Sequence, residues 1–115
     1  MFVFDPEFTF PWPVKVKLPI AGGEEVQEFT AIFRMPADEK DLFERPATTG
    51  MAELIDVARD RLSQHWVGWD GINVVGGAPL PFSTENRDQL LRNRPVRMAL
   101  DQAFGEAVLG IREKN

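Results

Sequence analysis

Two stretches of alternating apolar and polar residues flank the glycine pair at residues 22–23. The first stretch, residues 12–20, reads WPVKVKLPI, and the second runs from Glu25 to Met35 with the same period of two. Such alternation is typical of strands that bury one face, and glycine readily adopts the positive φ angles of a tight turn. The sequence therefore predicts a β-hairpin over residues 12–35, which strongly limits the folds open to the chain.

The hairpin must pack its apolar face against other elements, because an isolated pair of strands is only marginally stable. Pro13 and Pro19 fall on the outward parity of its first strand. Proline cannot donate a hydrogen bond to a neighbouring strand, and within sheets it is largely confined to edges. The first strand is therefore expected at the edge of its sheet.

After Pro36 the apolar residues follow a helical period. Residues 38–45 are a short charged helix candidate that Pro46 would end, and residues 51–65 repeat apolar side chains along one helix face. The pattern of residues 83–112 predicts two more helices, of which the first is capped by Ser83 and the second carries a proline in its first turn. We expect these helices to bury the following side chains: Leu54, Ile55, Ala58, Leu62, Leu100, Phe104 and Val108.

These elements predict an α+β fold in which an N-terminal β-hairpin packs on a C-terminal bundle of three to four helices. A chain of 115 residues is the size of one domain, so residues 1–115 are expected to share one core. Such a chain buries roughly two-thirds of its unfolded surface, which suffices for a core without disulfides or metal.

The N-terminal arm, residues 1–11, is rich in phenylalanine. Phe2, Phe4, Phe8 and Phe10 share one parity, while prolines at positions 6 and 11 prevent a regular central strand. Four phenylalanines are not expected to face water together. The arm either completes the core of its own domain or docks on a partner or a second copy, and in the latter case Phe2 and Phe4 are candidate contact residues.

Residues 66–82 are interpreted as a loop rich in tryptophan, glycine and proline. Asp70-Gly71 and Gly76-Gly77 are turn pairs, and residues 67–69 and 72–75 are candidate short extended pieces on either side of Asp70-Gly71. Two neighbouring tryptophans indicate either a packed corner or a recognition surface, because tryptophan is enriched at binding hot spots. On the second interpretation the candidate partner-binding residues are Trp66, Trp69 and Phe82.

Composition argues against catalysis. The chain has no cysteine, and its single histidine, His65, excludes a multi-histidine metal site. Ser63 and His65 are two residues apart on a predicted helix, where side chains point in different directions. No phosphate-binding loop or catalytic carboxylate pair is recognisable. We therefore expect no enzymatic activity and no cofactor.

The charge and hydropathy of the chain limit its partners and its compartment. A net charge of −5 disfavours nucleic acid, whose phosphates require clustered lysine and arginine. No apolar run approaches the roughly 18 residues of a membrane span, and the N-terminus does not resemble a secretion signal. The sequence predicts a cytoplasmic protein that binds neither nucleic acid nor membrane.

The segment from Trp66 to Asn86 carries a family resemblance. It contains W-x-G-[IV] as Trp69-Asp70-Gly71-Ile72, followed by GAPLPFSTEN at residues 77–86, a run of leucines and a final amphipathic helix. This pattern resembles the tail assembly chaperones of long-tailed bacteriophages. The resemblance is best over residues 62–111 and looser over the hairpin.

The resemblance implies a small non-catalytic domain in the cytoplasm of a bacterial host. Such chaperones bind the tape measure protein, a long apolar helical chain, keep it soluble, and help to bring tail tube subunits to it. Many are also made in a longer, frameshifted form that contacts the tail tube protein, and this chain would correspond to the short form. A homo-oligomer is a further expectation.

Two other classes of protein remain open at this point. One is a minor structural or completion protein of a phage tail, which would stay in the finished virion. The other is a small enzyme or enzyme regulator, which the residue inventory does not favour. Exposed apolar area together with net charge is what a chaperone for a long amphipathic chain requires.

Overall fold

The computed structural model describes residues 1–43 and 50–110, which form a three-stranded antiparallel sheet with helices packed on one of its faces. In chain order the elements are β1 (Thr9–Ile20), β2 (Gly23–Arg34), a short 3₁₀ helix (Glu39–Leu42), α1 (Met51–His65), β3 (Trp66–Asp70), α2 (Thr84–Leu91) and α3 (Arg94–Leu109). The strand order is β1-β2-β3. The α+β class and the N-terminal hairpin are confirmed.

Strands β1 and β2 pair in register from Thr9 opposite Arg34 to Ile20 opposite Gly23. Ala21 and Gly22 make the two-residue turn, and Gly22 has a φ of 84°, which glycine adopts without steric cost. The residues of β1 and β2 whose side chains face inward supply the sheet's part of the core. Those that are buried are Val14, Val16, Phe29, Ala31 and Phe33. The alternation in the sequence therefore identified the buried face correctly.

The free edge of β1 lacks many of its hydrogen-bond donors. Phe8 accepts a bond from the backbone N–H of Met35, so the even-numbered residues of this strand bond to β2 and the odd-numbered ones face away. Pro11, Pro13 and Pro19 are all odd-numbered. Their missing N–H groups would have pointed outward, which confirms β1 as an edge strand and explains how it tolerates three prolines.

Residues 66–70, which the sequence analysis placed in a loop, instead form the third strand. Trp66 lies opposite Phe33 and Trp69 opposite Ala31, with an irregularity in the register between Ile32 and Phe33. Residues three apart normally point to opposite faces of a strand, but an extra residue in the ladder brings both tryptophans to the inner face. The remaining residues, 71–82, do form a connecting loop.

Helix α1 spans Met51–His65, as its apolar period predicted, but only its C-terminal half reaches the core. Leu62 is fully buried, as are Leu100 and Phe104 of α3, whereas Leu54 is 41% exposed. The expected burial of Leu54 was therefore wrong, because the first turn of α1 is exposed along its whole length. The side chains of Ile55, Ala58 and Val108 are half-buried.

Helix α2 begins at the expected cap, Ser83, and α3 begins at a cap that was not predicted, Asn93. The Ser83 hydroxyl accepts a bond from the backbone N–H of Asn86 at 3.0 Å. The Asn93 side chain caps α3 in the same way, and Pro95 lies in that helix's first turn. Gly110 ends α3 with a φ of 71°, a conformation that favours glycine. Each terminus thus satisfies backbone groups that the helix leaves unpaired.

A buried arginine fixes the junction between α2 and α3. The Arg97 side chain donates to the carbonyl of Leu91, the last residue of α2, at 3.0 Å. Burial lowers the pKa of Arg97 below its ordinary value, the positive charges of Arg59 and Arg94 lower it further, and Asp101 raises it. The bond supplies a partner to a carbonyl at the C-terminal end of α2.

The far half of the hairpin projects beyond the helices. Residues 23–28 of β2 are all exposed, and the last buried side chain of β1 is that of Val16. The Cα radius of gyration is 15.1 Å, compared with about 13 Å for a compact domain of this length. The hairpin tip is therefore a solvated extension of the sheet.

Two predicted boundaries lie outside the described residues. One of these is the end of the first helix at Pro46; the other is the expected continuation of the last helix to residue 112, which was wrong because α3 already ends at Leu109 and is capped by Gly110. The first helix is present as the 3₁₀ helix, which is shorter than the expected span of 38–45. The hairpin begins at Thr9, three residues before the expected start, because part of the arm pairs with β2.

Candidate partner-binding surface

A continuous row of aromatic rings runs from the core to the surface through the predicted tryptophan site. The ring centroids of Phe29 and Trp66 are 6.0 Å apart, those of Trp66 and Trp69 are 5.0 Å apart, and those of Trp69 and Phe82 are 4.8 Å apart. The structure thus brings together the three residues that the sequence singled out here. Their burial decreases along the row, so they do not share one role.

Trp66 is a core residue. Its side chain is 0% exposed, so it has no surface to offer a partner. The packed-corner interpretation therefore holds for Trp66, and its prediction as a direct contact residue was wrong. Its indole N–H is buried and has no hydrogen-bond partner among the described residues. Tryptophan at this position therefore contributes its volume and its aromatic contacts rather than a hydrogen bond from its indole N–H.

Trp69 anchors the loop that follows β3. Its indole N–H donates to the Leu80 carbonyl at 2.8 Å, and its ring lies between those of Trp66 and Phe82. The backbone N–H of Leu80 in turn donates to Ile72 at 2.8 Å, closing a small hairpin over residues 72–80. Trp69 is half-buried, so it positions this loop and offers only part of its ring to solvent.

Phe82 and the loop tip form the exposed end of the row. Phe82 is 37% exposed, and Val75 at the tip of the 72–80 hairpin is fully exposed. Gly76 and Gly77 both have positive φ angles, which form the tight turn that presents Val75. Val74 is 44% exposed as well, so the apolar surface at this end is offered by a few side chains.

The arm presents a second, larger apolar surface, which we call the arm groove. It has a volume of about 410 Å³, and its walls are formed by residues 2–6, Phe8 and residues 35–37. Phe2 is 85% exposed and Phe4 is 77% exposed, whereas Phe10 is half-buried and its ring lies 6.0 Å from that of Phe33. Only the C-terminal part of the arm therefore completes the core of its own chain.

Local hydrogen bonds hold the arm in place despite its exposure. The side chain of Asp5 accepts a bond from the N–H of Glu7 at 2.9 Å, and the N–H of Phe8 donates to the Asp5 carbonyl at 3.2 Å. Met35 then pairs with Phe8 at 3.1 Å. These bonds fix residues 5–8, and the preceding Phe2 and Phe4 are exposed at the surface.

Sequence reasoning missed two residues of these surfaces. Met35 was assigned to the apolar parity of the hairpin, but it lies just past β2 and lines the arm groove. Val75 gave a signal that could have been used, since an apolar residue directly before Gly76-Gly77 falls at a turn. Phe43 and Met51 are also exposed.

The residues examined for catalysis have structural contacts. The His65 ring nitrogen Nδ1 lies 2.8 Å from the Arg61 carbonyl, and its ring packs 5.1 Å from that of Phe104. Ser63 donates to the Asp60 carbonyl at 2.9 Å. Within residues 1–43 and 50–110, no three metal-ligating side chains come together, and no helix has the length and hydropathy to cross a membrane.

Comparisons of the chain with models of known protein families, with curated proteins and with solved structures found no match. The functional argument therefore depends on the chemistry of the two apolar surfaces and on the resemblance described above. Of the five candidate residues, Phe2, Phe4 and Phe82 are accessible to a partner, while Trp69 and Trp66 support the surface from beneath.

Proposed function

We propose that this protein is a tail assembly chaperone of a long-tailed bacteriophage, acting in the cytoplasm of the bacterial host. It binds the tape measure protein, keeps that long apolar chain soluble, and helps to recruit tail tube subunits. A longer, frameshifted form would carry the contact with the tail tube protein. The arm groove is the observation on which this proposal chiefly depends.

The arm groove suits a chaperone because its aromatic side chains are presented to solvent. A contiguous exposed apolar surface on a small protein usually marks a binding site. Phe2 and Phe4 directly precede the turn at residues 5–8, whose hydrogen bonds are already formed, so a partner would gain apolar contacts without first ordering that turn. Phe82 and Val75 offer a second, smaller contact.

The acidic character of the chain supports the same function. A chaperone bound to an apolar client must keep the complex in solution, and net charge opposes association between complexes. The formal charge of −5 supplies this repulsion. The small size of the domain also allows many copies to bind along one extended client.

Coexpression with a tape measure protein of a long-tailed bacteriophage tests the proposal. We expect the unmodified chain to increase the soluble fraction of the tape measure protein, and Phe2→Ser with Phe4→Ser to reduce that fraction. The matched control is Ile20→Ser with Val26→Ser, which removes two exposed apolar side chains from the hairpin tip. An equal loss with both double variants would argue against a specific site.

Analysis of purified particles separates the chaperone from the alternative of a structural tail protein. A chaperone is present in lysates of infected cells and missing from purified virions. Detection of this chain in virions at a fixed ratio to the tail tube protein would instead assign it as a minor structural or completion protein.

A further inference from the structure

The arm groove has acidic surroundings as well as aromatic walls. Asp5 lines the groove and Glu7 follows it, while the 3₁₀ helix begins two residues after Ala37 and contributes further carboxylates. Residues 1–8 and 34–43 together contain five acidic side chains, Asp5, Glu7, Asp38, Glu39 and Asp41, and two basic ones, Arg34 and Lys40. A partner that enters the groove therefore meets a negative field.

The basic side chains are concentrated elsewhere in the chain. Four arginines lie between Arg87 and Arg97, at α2 and the start of α3. Arg34 and Glu7, which neighbour residues of the groove wall, form an exposed ion pair at 3.8 Å, and such a pair neutralises little of the local charge. The charge at the groove thus favours a positively charged occupant.

The backbone around the groove does not favour an extended peptide as occupant. A peptide that adds a strand to a sheet requires a row of free N–H and C=O groups. Pro6 and Pro36 line the groove and lack N–H groups, and the adjoining edge of β1 lacks them at Pro11 and Pro13. The missing donors favour an occupant that is held by its side chains, which is how an amphipathic helix binds in a groove.

The side chains of the groove suit a helix of variable sequence. Phe2, Phe4 and Phe8 offer large flat apolar surfaces, and Met35 is a flexible side chain that adapts to different neighbours. A groove with such side chains and with carboxylates nearby suits a helix whose apolar residues occupy positions i, i+3 or i+4, and i+7, and whose flanking positions carry lysine or arginine.

We infer that the arm groove binds an amphipathic helix whose apolar ridge is flanked by lysine and arginine. The inference rests on the proposed function, because it specifies which segments of the tape measure protein this chaperone would hold. Segments with acidic flanks would be left unbound. The groove thus selects among helical segments of one client by charge, while its apolar walls supply the affinity.

Two synthetic peptides with the same leucine ridge, each about 18 residues or five helical turns long, test the inference. One carries lysine on both flanks and the other glutamate. Their binding to the full chain is measured by fluorescence anisotropy at low and moderate salt. We expect the lysine peptide to bind at least about tenfold more tightly than the glutamate peptide, and to weaken as salt screens the charges.

Variants of the full chain locate the binding site. Phe2→Ser with Phe4→Ser should weaken binding of the lysine peptide at least about tenfold. Circular dichroism should show an unchanged fold, because both phenylalanine side chains are exposed. Glu39→Gln with Asp41→Asn should reduce the preference for lysine over glutamate. The matched control, Glu24→Gln with Glu25→Gln, removes the same charge from the hairpin tip and should leave that preference unchanged.

Three outcomes would overturn the inference. These are equal affinity for the two peptides, full affinity of the phenylalanine double variant, and a concentration-dependent dimer that depends on Phe2 and Phe4 in a chain that binds neither peptide. The third would show that the groove is occupied by a second copy. Coexpression with the tape measure protein remains a separate measurement: unaltered solubilisation alongside failed peptide binding would refute charge selection and leave the proposed function intact.

Discussion

Replacing Phe104 with alanine tests whether the core lies where α3 crosses the sheet. Phe104 is 3% exposed, and its ring centroid is 5.2 Å from that of Phe33 and 5.1 Å from that of His65. Truncation removes both ring contacts and leaves a cavity between the helix layer and the sheet. Buried phenylalanine-to-alanine changes cost about 3–5 kcal/mol, so we expect a loss of about 4 kcal/mol in the free energy of unfolding.

The expected loss converts into a large thermal shift. At about 2.1 cal/mol/K per residue, unfolding of 115 residues has an entropy of about 0.24 kcal/mol/K. A loss of about 4 kcal/mol therefore lowers the Tm by about 17 °C. The matched control is Phe4→Ala, which is chemically identical but changes an exposed residue, and it should cost less than about 0.5 kcal/mol.

Urea unfolding followed by tryptophan fluorescence measures both variants, with differential scanning calorimetry for the Tm. The slope of the free energy of unfolding against urea concentration should stay constant, which would show that the difference arises in stability rather than in compactness. A Tm change of about 2 °C or less for Phe104→Ala, or equal changes for the two variants, would refute the assignment of Phe104 to the core.

Three further substitutions test particular contacts. Trp66→Phe should lower the free energy of unfolding by less than about 2 kcal/mol, because the N–H donor that it removes is buried and has no partner among the described residues. Trp66→Ala should cost about 3–5 kcal/mol, and chemical denaturation of both variants measures the difference. Trp69→Phe should lower the free energy of unfolding by about 1 kcal/mol, because the hydrogen bond to Leu80 is lost, and amide hydrogen exchange should become faster in the 72–80 loop. Unchanged exchange would show that the loop does not depend on that bond. Gly22→Ala should cost about 1–2 kcal/mol, since Gly22 has a φ of 84°, and a smaller thermal shift would mean that the turn can change its conformation.

The main elements of the fold were predictable where one local pattern determined the outcome. The alternation over residues 12–35 requires one buried face, and prolines on the other parity identify an edge strand whatever else packs nearby. Helix α1 was located correctly because its apolar period begins and ends within one uninterrupted segment. These inferences need no knowledge of distant contacts.

The third strand could not be predicted from local pattern. Trp66 and Trp69 are three residues apart, a spacing that suggests a loop or a helix, and only the irregular register against β2 places both indoles on the inner face. The exposure of Leu54 has a similar cause, since a helical stripe shows which residues share a face but not how far the supporting sheet extends.

The candidate site was predictable in composition and not in arrangement. The sequence indicated aromatic residues in the arm and in the loop, and it left two roles open for each. Burial distinguishes those roles, because Trp66 and Phe10 pack inside while Phe2 and Phe4 remain outside. The groove formed with Met35 depends on the pairing of Phe8 with that residue, a contact between segments far apart in the chain.

The three prolines of β1 have a consequence for how this protein behaves when it is abundant. A protein that displays phenylalanine at its surface is at risk of assembling into fibrils, and exposed strand edges are where such growth begins. An incoming strand at β1 would find no donor at Pro11, Pro13 or Pro19, so this border offers fewer hydrogen bonds to the sheet of another molecule than an unbroken strand would. The prolines therefore weaken fibril growth from the edge of β1 in a chain that exposes an aromatic arm.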